Sequence, residues 1–367
     1  MPLLLPIAVL LLLGLPLAGI LLNGGSLAFY TEFPPMTRYV QHAPFAWPAF
    51  IALALLIVVV VGPFILRVIQ ANNPTGGRAC CAPRTATRRP SQTCFPWWGW
   101  AGLVFGAVAW ILAWNRFAWF APLQAFTFSP LWLAYIVVIQ ALMYWRTGTC
   151  LLKDRPLTLL KLFVLSAGFW WFFEYLNRFV QNWYYDGIGK LTPWEYFLFA
   201  TLPFSTVLPA VLGTYDLLAT FPRLSAGLDN FIVLRPRQPK ILAGLVLAAA
   251  CAGLAGIGIR PDLLFPLLWL APLLIITSLL TLSGKATLFS DIGRGDWRQV
   301  CLLALAALIC GFFWEMWNYD SQAQWIYTVP YVNRFKIFKM PILGYAGYLP
   351  FGLECAVVAS WMKGKKP

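Results

Sequence analysis

The sequence predicts an all-α protein: a polytopic transmembrane helix bundle of about ten helices, with two N-terminal helices followed by two parallel four-helix repeats. The first observation is composition, because 60% of the 367 residues are hydrophobic and only 11% are charged, whereas soluble domains carry about 25% charged residues. The second is a series of apolar runs of spanning length. The third is a set of Lys and Arg residues in alternate loops between those runs.

Each predicted span is an apolar run close to the length of about 20 residues that a helix needs to cross the hydrocarbon core. In chain order the runs are Leu3–Leu22, Phe45–Val68, Trp97–Trp114, Phe128–Trp145, Leu157–Leu176, Trp194–Thr220, Ile241–Ile259, Leu263–Leu282, Val300–Trp317 and Pro341–Met362. No Lys or Arg precedes the first run and no A-x-A site follows it. We therefore expect a retained helix rather than a cleaved signal peptide.

The distribution of basic residues predicts the orientation. They follow every second span: Arg67, Arg78, Arg84, Arg88 and Arg89; Arg146, Lys153 and Arg155; Arg223, Arg235, Arg237 and Lys240; Lys285, Arg294 and Arg298; Lys363, Lys365 and Lys366. Because cytoplasmic loops carry the excess of Lys and Arg, we expect a multi-pass protein of the cell (inner) membrane with both termini in the cytoplasm. Arg334, Lys336 and Lys339 in the last outer loop weaken the asymmetry.

A long basic loop rich in Gly, Pro and Ser follows the second span and is typical of a linker. This linker, the second basic loop and the groups of spans divide the chain into five predicted segments. These are an N-terminal two-helix membrane unit (1–70), a basic cytoplasmic linker (71–96), a first four-helix repeat (97–222), a basic cytoplasmic loop (223–240) and a second four-helix repeat (241–367).

Ordered sequence matches predict the duplication. They pair Leu131-Trp132-Leu133-Ala134 with Leu268-Trp269-Leu270-Ala271, Gly168-Phe169-Trp170 with Gly311-Phe312-Phe313-Trp314, Glu174-x-x-Asn177 with Glu315-x-x-Asn318, Trp183-Tyr184-Tyr185 with Trp325-Ile326-Tyr327, and Leu202-Pro203-Phe204 with Leu349-Pro350-Phe351. An even number of spans in each unit makes the repeats parallel, related by an axis along the membrane normal.

The Glu-x-x-Asn pairs are the first candidate site. Positions three apart face the same side of a helix, so Glu174 with Asn177, and Glu315 with Asn318, each present a carboxyl and an amide together. Ionisable residues within spans usually face a bundle interior or a water-filled cavity. One interpretation is a shared cavity in which the glutamates act as general acid or base. The other is that each pair accepts bonds from loop amides and pins the aromatic loop that follows.

Glu354 is the third candidate catalytic residue. It follows a helix start loosened by Gly and Pro, and it lies near the predicted middle of the last span, where the first repeat has Val207. Broken helices are tolerated at membrane depth where they line a cavity or are buried in protein. Catalysis, or a hydrogen bond to a neighbouring helix, would each explain a carboxyl there.

Aromatic clusters border both pairs and include the candidate substrate-binding residues. These are Trp171, Trp183, Trp314, Trp325 and Tyr327, together with Asn177 and Asn318. An interfacial aromatic belt is one explanation. A π-rich wall that holds a polyene, a quinone or a developing carbocation is the other.

The remaining composition limits cofactors and partners. His42 is the single histidine, which excludes haem and di-iron sites built from several imidazoles, and no nucleotide-binding motif appears. We predict no cofactor and no metal. The net charge of +14 indicates anionic membrane lipid rather than nucleic acid, because the basic residues lie in short loops. For Cys80, Cys81 and Cys94 we favour reduced thiols over metal binding or lipidation.

Carboxyls among aromatic residues, without metal ligands, favour a membrane-embedded enzyme that acts on an apolar small-molecule substrate such as an isoprenoid, a polyene or a lipid. This hypothesis predicts an aromatic cavity open sideways to lipid. A transporter for a small solute or ion predicts instead a polar pathway between the repeats that crosses the midplane. A scaffold subunit of a larger membrane complex is the third alternative.

Overall fold

The fold is that of a computed structural model, which describes residues 4–73 and 94–363. Several residues of the sequence predictions lie outside the described residues: Cys80, Cys81, Arg78, Arg84, Arg88, Arg89, Lys365 and Lys366.

Helices make up most of the described chain. The first half contains α1 (Leu4–Leu22), α2 (Ala28–Thr31), α3 (Trp47–Asn72), α4 (Trp97–Trp114), α5 (Phe128–Thr147), α6 (Leu151–Asp154) and α7 (Pro156–Val180). The second half contains α8 (Pro193–Phe204), α9 (Val207–Leu218), α10 (Pro239–Gly256), α11 (Pro261–Leu264), α12 (Leu267–Leu282), α13 (Arg298–Tyr319) and α14 (Tyr348–Lys363). Short 3₁₀ segments are Ala118–Phe126, Pro222–Ser225, Ser290–Arg294 and Ile342–Gly347. Proline stands in the first turn of α3, α7, α8 and α10, where its missing N–H costs no helical bond.

The helices bear out the prediction of a multi-pass membrane protein. In the described part of the chain, 9 segments are long and apolar enough to cross a membrane. The predicted run Leu263–Leu282 is different, because the structure divides it into α11 and the 16-residue α12. Pro266 stands at the division, and a proline inside a helix removes a backbone donor and clashes with the preceding turn.

Two small antiparallel ribbons accompany the helices, and the sequence analysis predicted no strands. β1 (Trp183–Asp186) pairs with β2 (Gln324–Tyr327), and β3 (Lys336–Ile337) pairs with β4 (Met340–Pro341). β1 directly follows α7, and β2 follows α13. The first ribbon therefore joins the ends of the two helices that carry the Glu-x-x-Asn pairs.

Helix α1 packs closely against α10. A Cβ on Gly19 would lie 1.9 Å from the Ala255 carbonyl oxygen, and one on Gly258 would lie 2.6 Å from that of Pro16. Small residues allow helix backbones to approach in this way within a membrane. The first helix is thus fixed to the C-terminal half of the chain.

Helix α3, in contrast, has no buried residue. Its N-terminal end is held where the Ala46 N–H donates to the Tyr331 carbonyl at 2.9 Å. Its other end is held where Arg67 donates to the Gly227 carbonyl at 3.0 Å. Between these attachments the middle of α3 stands beside the bundle without packing tightly into it.

Backbone groups at the break between α8 and α9 find hydrogen-bond partners on α7. The Ser166 hydroxyl donates to the Phe204 carbonyl at 2.7 Å and accepts from the Leu208 N–H at 3.0 Å. Irregular backbone within a membrane requires such protein partners, since lipid offers none. The break between α8 and α9 is therefore stabilised by specific hydrogen bonds within the protein.

Candidate functional site

Two fully buried glutamates lie at the centre of the site. Glu174 in α7 and Glu315 in α13 both have 0% exposed surface. Glu174 lies six residues before the last residue of α7, Val180, which is about 9 Å along the helix axis. Both carboxyls thus lie just inside the helix ends that carry the first ribbon.

The Glu174 cluster consists of this carboxyl with Trp170, Trp183 and Tyr185. The Trp170 and Trp183 indoles donate to Glu174 Oε1 at 3.0 and 3.1 Å. The Tyr185 hydroxyl donates to the same oxygen at 2.5 Å. Because all these donors converge on one oxygen, Glu174 Oε2 has no hydrogen-bond partner in the described chain.

The Glu315 cluster has the same design with different members: Trp325, Tyr327 and Tyr348. The Tyr327 and Tyr348 hydroxyls donate to Glu315 Oε1 at 2.7 and 2.9 Å. The Trp325 indole lies 3.4 Å from that oxygen and 2.9 Å from the Tyr327 hydroxyl. Among the described residues, Glu315 Oε2 also has no partner.

The asparagines one turn later hold the beginning of each strand. Asn177 Oδ1 accepts from the Asn182 N–H at 2.8 Å, and Asn177 Nδ2 donates to the Trp183 carbonyl at 2.7 Å. Asn318 binds the N–H and the carbonyl of Trp325, both at 2.8 Å. In each pair, then, the asparagine fixes the strand backbone while the glutamate binds the strand side chains.

The ribbon brings the two clusters together. Trp183 lies opposite Tyr327, and Tyr185 lies opposite Trp325. Side chains two residues apart share one face of a strand, so these four side chains cover a single face of the ribbon. Burial raises the pKa of Tyr185 and of Tyr327 well above the usual range, and the nearby glutamates add to the rise. Both phenols therefore remain protonated donors at neutral pH.

That face of the ribbon forms one wall of a large aromatic cavity. The cavity has a volume of about 1110 Å³, at the upper end of the range of small-molecule sites. Its aromatic wall is Trp170, Trp183, Tyr185, Trp269, Trp314, Trp325, Tyr327 and Tyr348. The middle of α3 supplies an aliphatic part of the lining, namely Leu53, Leu56, Ile57, Val60 and Val61.

The edge of the aromatic cavity is open on the apolar surface of the molecule. The lining residues Leu56, Leu198 and Leu202 are 57%, 67% and 55% exposed. Phe351 packs 5.7 Å from Phe169, measured between ring centroids, and neither residue is among the lining residues described.

The structure brings most of the predicted residues to this cavity, though in different roles. Trp183, Trp314, Trp325 and Tyr327 line it directly. The glutamates and asparagines lie behind that wall and bind the residues that form it. Trp171 lies to one side, where its indole donates to the Thr201 hydroxyl at 2.9 Å.

Glu354 lies elsewhere, in the contact between α14 and α12. It is 2% exposed, and its Oε1 accepts from the Leu273 N–H at 3.2 Å. Leu273 directly follows Pro272, a proline inside α12. The described residues that line the aromatic cavity do not include Glu354.

Several site residues did not emerge from the sequence. Trp170 and Tyr348 complete the two clusters, α3 supplies a wall, and Asn182 lines the cavity beside the ribbon. A usable pattern existed for the last of these, because Asn182 and Gln324 both directly precede a Trp-x-Tyr triplet. No local pattern marks α3 as a wall, since its sequence is uniformly apolar.

A comparison of the chain with models of protein families, with curated proteins and with solved structures finds no match. Within the described residues, no group of three or more His, Cys, Asp and Glu side chains is placed to hold a metal ion.

Proposed function

We propose that this protein is a membrane-embedded enzyme that takes an apolar, lipid-like substrate from the bilayer into the aromatic cavity. The main support for this proposal is the cavity itself, which has a volume of about 1110 Å³ and an almost entirely aromatic and aliphatic lining. Burial of apolar surface contributes about 25 cal/mol per Å², so such a lining favours hydrocarbon over a solvated solute.

The loosely packed α3 supports passage of substrate from the side. A rigid bundle wall would have to open for a molecule to pass from lipid, whereas α3 is attached at its ends and has no buried residue. Leu53 and Leu56 on this helix line the cavity. Small movements of the middle of α3 would then admit a chain-like molecule without disturbing the core.

The phenol–carboxyl pairs support proton transfer as the chemistry. The Tyr185, Tyr327 and Tyr348 hydroxyls belong to cavity-lining residues and bind a glutamate behind them. In the proposed step the glutamate begins protonated, and a phenol turns its hydroxyl from the carboxyl to the substrate and gives up its proton there. The carboxyl then returns a proton to the phenolate and is left as a carboxylate. General acid–base catalysis of this kind requires hydrogen-bond reach between the partners, and the pairs have it.

A carrier is less well supported. It needs a polar pathway that crosses the midplane, whereas the described lining of the cavity is almost entirely aromatic and aliphatic. Glu354, the candidate carboxyl nearest the predicted midplane, accepts a hydrogen bond from a backbone amide in a helix contact instead. We propose a positioning role for Glu354 next to Pro272 of α12.

The proposal includes the finer predictions of topology. We infer ten membrane spans, of which α12 is the shortest. We further infer that the protein lies in the inner membrane with both termini in the cytoplasm, and that it contains two parallel four-helix repeats. The pairing of Trp183 with Tyr327 and of Tyr185 with Trp325 supports the repeats, because an axis along the membrane normal would relate two such strands antiparallel.

Two leucines of α3 allow a matched test. Leu53 lines the cavity, whereas Leu55 is 59% exposed and is not among the lining residues described. Wild-type protein, Leu53→Trp and Leu55→Trp would be purified from membranes, and the bound apolar compounds measured by mass spectrometry. We expect Leu53→Trp to retain about tenfold less of the bound compound, since the indole fills the site, and Leu55→Trp to match wild type.

The compound retained by a Glu174→Gln, Glu315→Gln double variant then serves to test the chemistry. Wild-type protein should convert this compound on incubation, and the double variant should bind it without converting it. Equal retention by both tryptophan variants would remove the cavity as the binding site. Conversion by the double variant would remove the carboxyls from the reaction.

A further inference from the structure

Asn182 is a buried polar residue in the wall of the aromatic cavity. It is 4% exposed and is one of the described lining residues. Its backbone is fully engaged, because its N–H donates to Asn177 Oδ1 and its carbonyl accepts from the Thr328 N–H, both at 2.8 Å. The strand start thus fixes where the side-chain carboxamide stands.

The carboxamide itself is not satisfied. Asn182 Oδ1 has no hydrogen-bond partner among the described residues, and a buried polar atom without a partner is unfavourable. The other amide before a Trp-x-Tyr triplet, Gln324, differs in this respect because the Lys339 ammonium donates to its Oε1. Asn182 is therefore the amide of the two that is left for a ligand.

The charge of the lining limits what that ligand carries. Among the described lining residues no Lys, Arg or His is present. The single charged lining residue is Glu195, whose carboxylate is held by the Thr192 N–H and hydroxyl at 2.7 and 2.8 Å. An anionic head group would lose its hydration here without gaining a cation.

We propose that Asn182 binds the polar end of the substrate, and that this end is an uncharged hydroxyl on a long apolar chain. The unpartnered Oδ1 requires a donor, and a carboxamide offers both an acceptor oxygen and an NH₂ donor, so it matches a hydroxyl in full. The substrate class is then a long-chain or isoprenoid alcohol, rather than a pure hydrocarbon or a fatty acid. This inference rests on the proposed function.

A competition experiment with three probes tests the assignment. A radiolabelled long-chain isoprenoid alcohol would be bound to the purified full-length protein in detergent. The unlabelled alcohol, the hydrocarbon of the same chain length and the carboxylate of the same length would compete for the site. We expect wild type to prefer the alcohol over the hydrocarbon by about tenfold, the size of one hydrogen bond, and to bind the carboxylate no better than the hydrocarbon.

Two variants connect the preference to the residue. Asn182→Leu should bind alcohol and hydrocarbon equally, with the hydrocarbon affinity of wild type. Asn333→Leu, the same change at an exposed asparagine of the outer loop, should keep the alcohol preference. Asn182→Ala should behave like Asn182→Leu, which separates loss of the carboxamide from an effect of the leucine.

The outcomes separate this inference from the proposed function. If wild type binds alcohol and hydrocarbon equally, the role of Asn182 is refuted while the apolar site stands. Tighter binding of the carboxylate would refute the uncharged head group. If both Asn182 variants also bind the hydrocarbon more weakly than wild type does, Asn182 maintains the structure of the cavity rather than binding the polar head group, and the proposed role is refuted. Binding of none of the three probes would refute the proposed function.

Discussion

The Glu174 and Glu315 clusters both supply hydrogen-bond donors to a buried carboxyl, but they use different side chains to do so. In each, a strand of the ribbon supplies a Trp and a Tyr two residues apart that bind the carboxyl. The remaining donor differs in origin. Trp170 lies one helical turn before Glu174 on the same helix, whereas Tyr348 comes from the start of α14 to reach Glu315.

The difference follows from one glycine. Gly311 occupies the position one turn before Glu315 that Trp170 occupies before Glu174. A Cβ at Gly311 would lie 2.3–2.7 Å from atoms of the Tyr348 ring, so only glycine leaves the space that Tyr348 fills. Each carboxyl thus has three donor groups close to its Oε1, although a different helix provides the third.

Removing either carboxyl should have the largest effect. In Glu174→Leu and Glu315→Leu the Trp and Tyr donors keep their burial and lose their shared acceptor, and each unsatisfied buried donor costs about 1–3 kcal/mol. We expect a loss of about 3–5 kcal/mol in the free energy of unfolding for each variant, measured by titration with a denaturing detergent in mixed micelles.

The glutamine variants are the control for this experiment. Glu174→Gln and Glu315→Gln keep a carbonyl oxygen for the donors, so the loss should fall to about 1 kcal/mol. If the leucine variants are as stable as the glutamine variants, the donors find other partners. A large difference between Glu174→Leu and Glu315→Leu would contradict the equivalence of the two clusters.

Parts of this comparison were predictable because they are local. The Glu-x-x-Asn spacing puts both side chains on one helical face, and that face does bind the aromatic segment that follows. A Trp-x-Tyr triplet also has the alternation of a strand, although an all-α prediction overlooked it. Most spans were predictable because hydrocarbon requires about 20 apolar residues.

The remainder depends on contacts between distant segments. The pairing of Trp183 with Tyr327 joins segments far apart in the chain, and no periodicity within either segment encodes it. Tyr348 replaces Trp170 as the third donor in the Glu315 cluster, and predicting this replacement requires the shape of the space next to Gly311. Likewise, the sequence of α3 predicts a span but not that its middle would line a cavity, and Glu354 near the predicted midplane did not reveal its Leu273 partner.

The two glycines of the matched motifs give the second prediction. A Cβ added at Gly168 would meet no atom within 4 Å, whereas a Cβ at Gly311 would collide with the Tyr348 ring. Overpacking costs about 1–3 kcal/mol, so Gly311→Ala should destabilise the protein by about 2 kcal/mol. Gly168→Ala should stabilise it by about 0.5–1 kcal/mol, the usual gain from replacing a helical glycine.

Both variants would be compared in the same detergent titration of unfolding. A second readout is tryptophan fluorescence, because a displaced Tyr348 changes the surroundings of Trp314, whose ring it stacks on at 5.9 Å between centroids. Equal stability of Gly168→Ala and Gly311→Ala would show that Tyr348 moves away without loss, and the space argument would then fail.

The smallest effect should come from exchanging the single donor that differs. Tyr348→Phe removes the hydroxyl that lies 2.9 Å from Glu315 Oε1, and Trp170→Phe removes the indole N–H that lies 3.0 Å from Glu174 Oε1. Each carboxyl keeps its two strand donors, so each variant should lose about 1 kcal/mol. Trp170→Phe should lose somewhat more, since the smaller ring also leaves space in the cavity wall.

The double variant decides whether the clusters act independently. Mutations at sites without shared partners add in their effect on unfolding free energy. If the clusters are separate supports of one ribbon, Tyr348→Phe with Trp170→Phe should lose the sum of the single losses, about 2 kcal/mol. A loss clearly above that sum would mean that the two clusters are coupled, through the β1–β2 pairing or through Trp314, whose ring packs against both Trp170 and Tyr348. Repeating the double variant with Trp314→Leu separates the two routes, because coupling that persists without the Trp314 ring belongs to the ribbon.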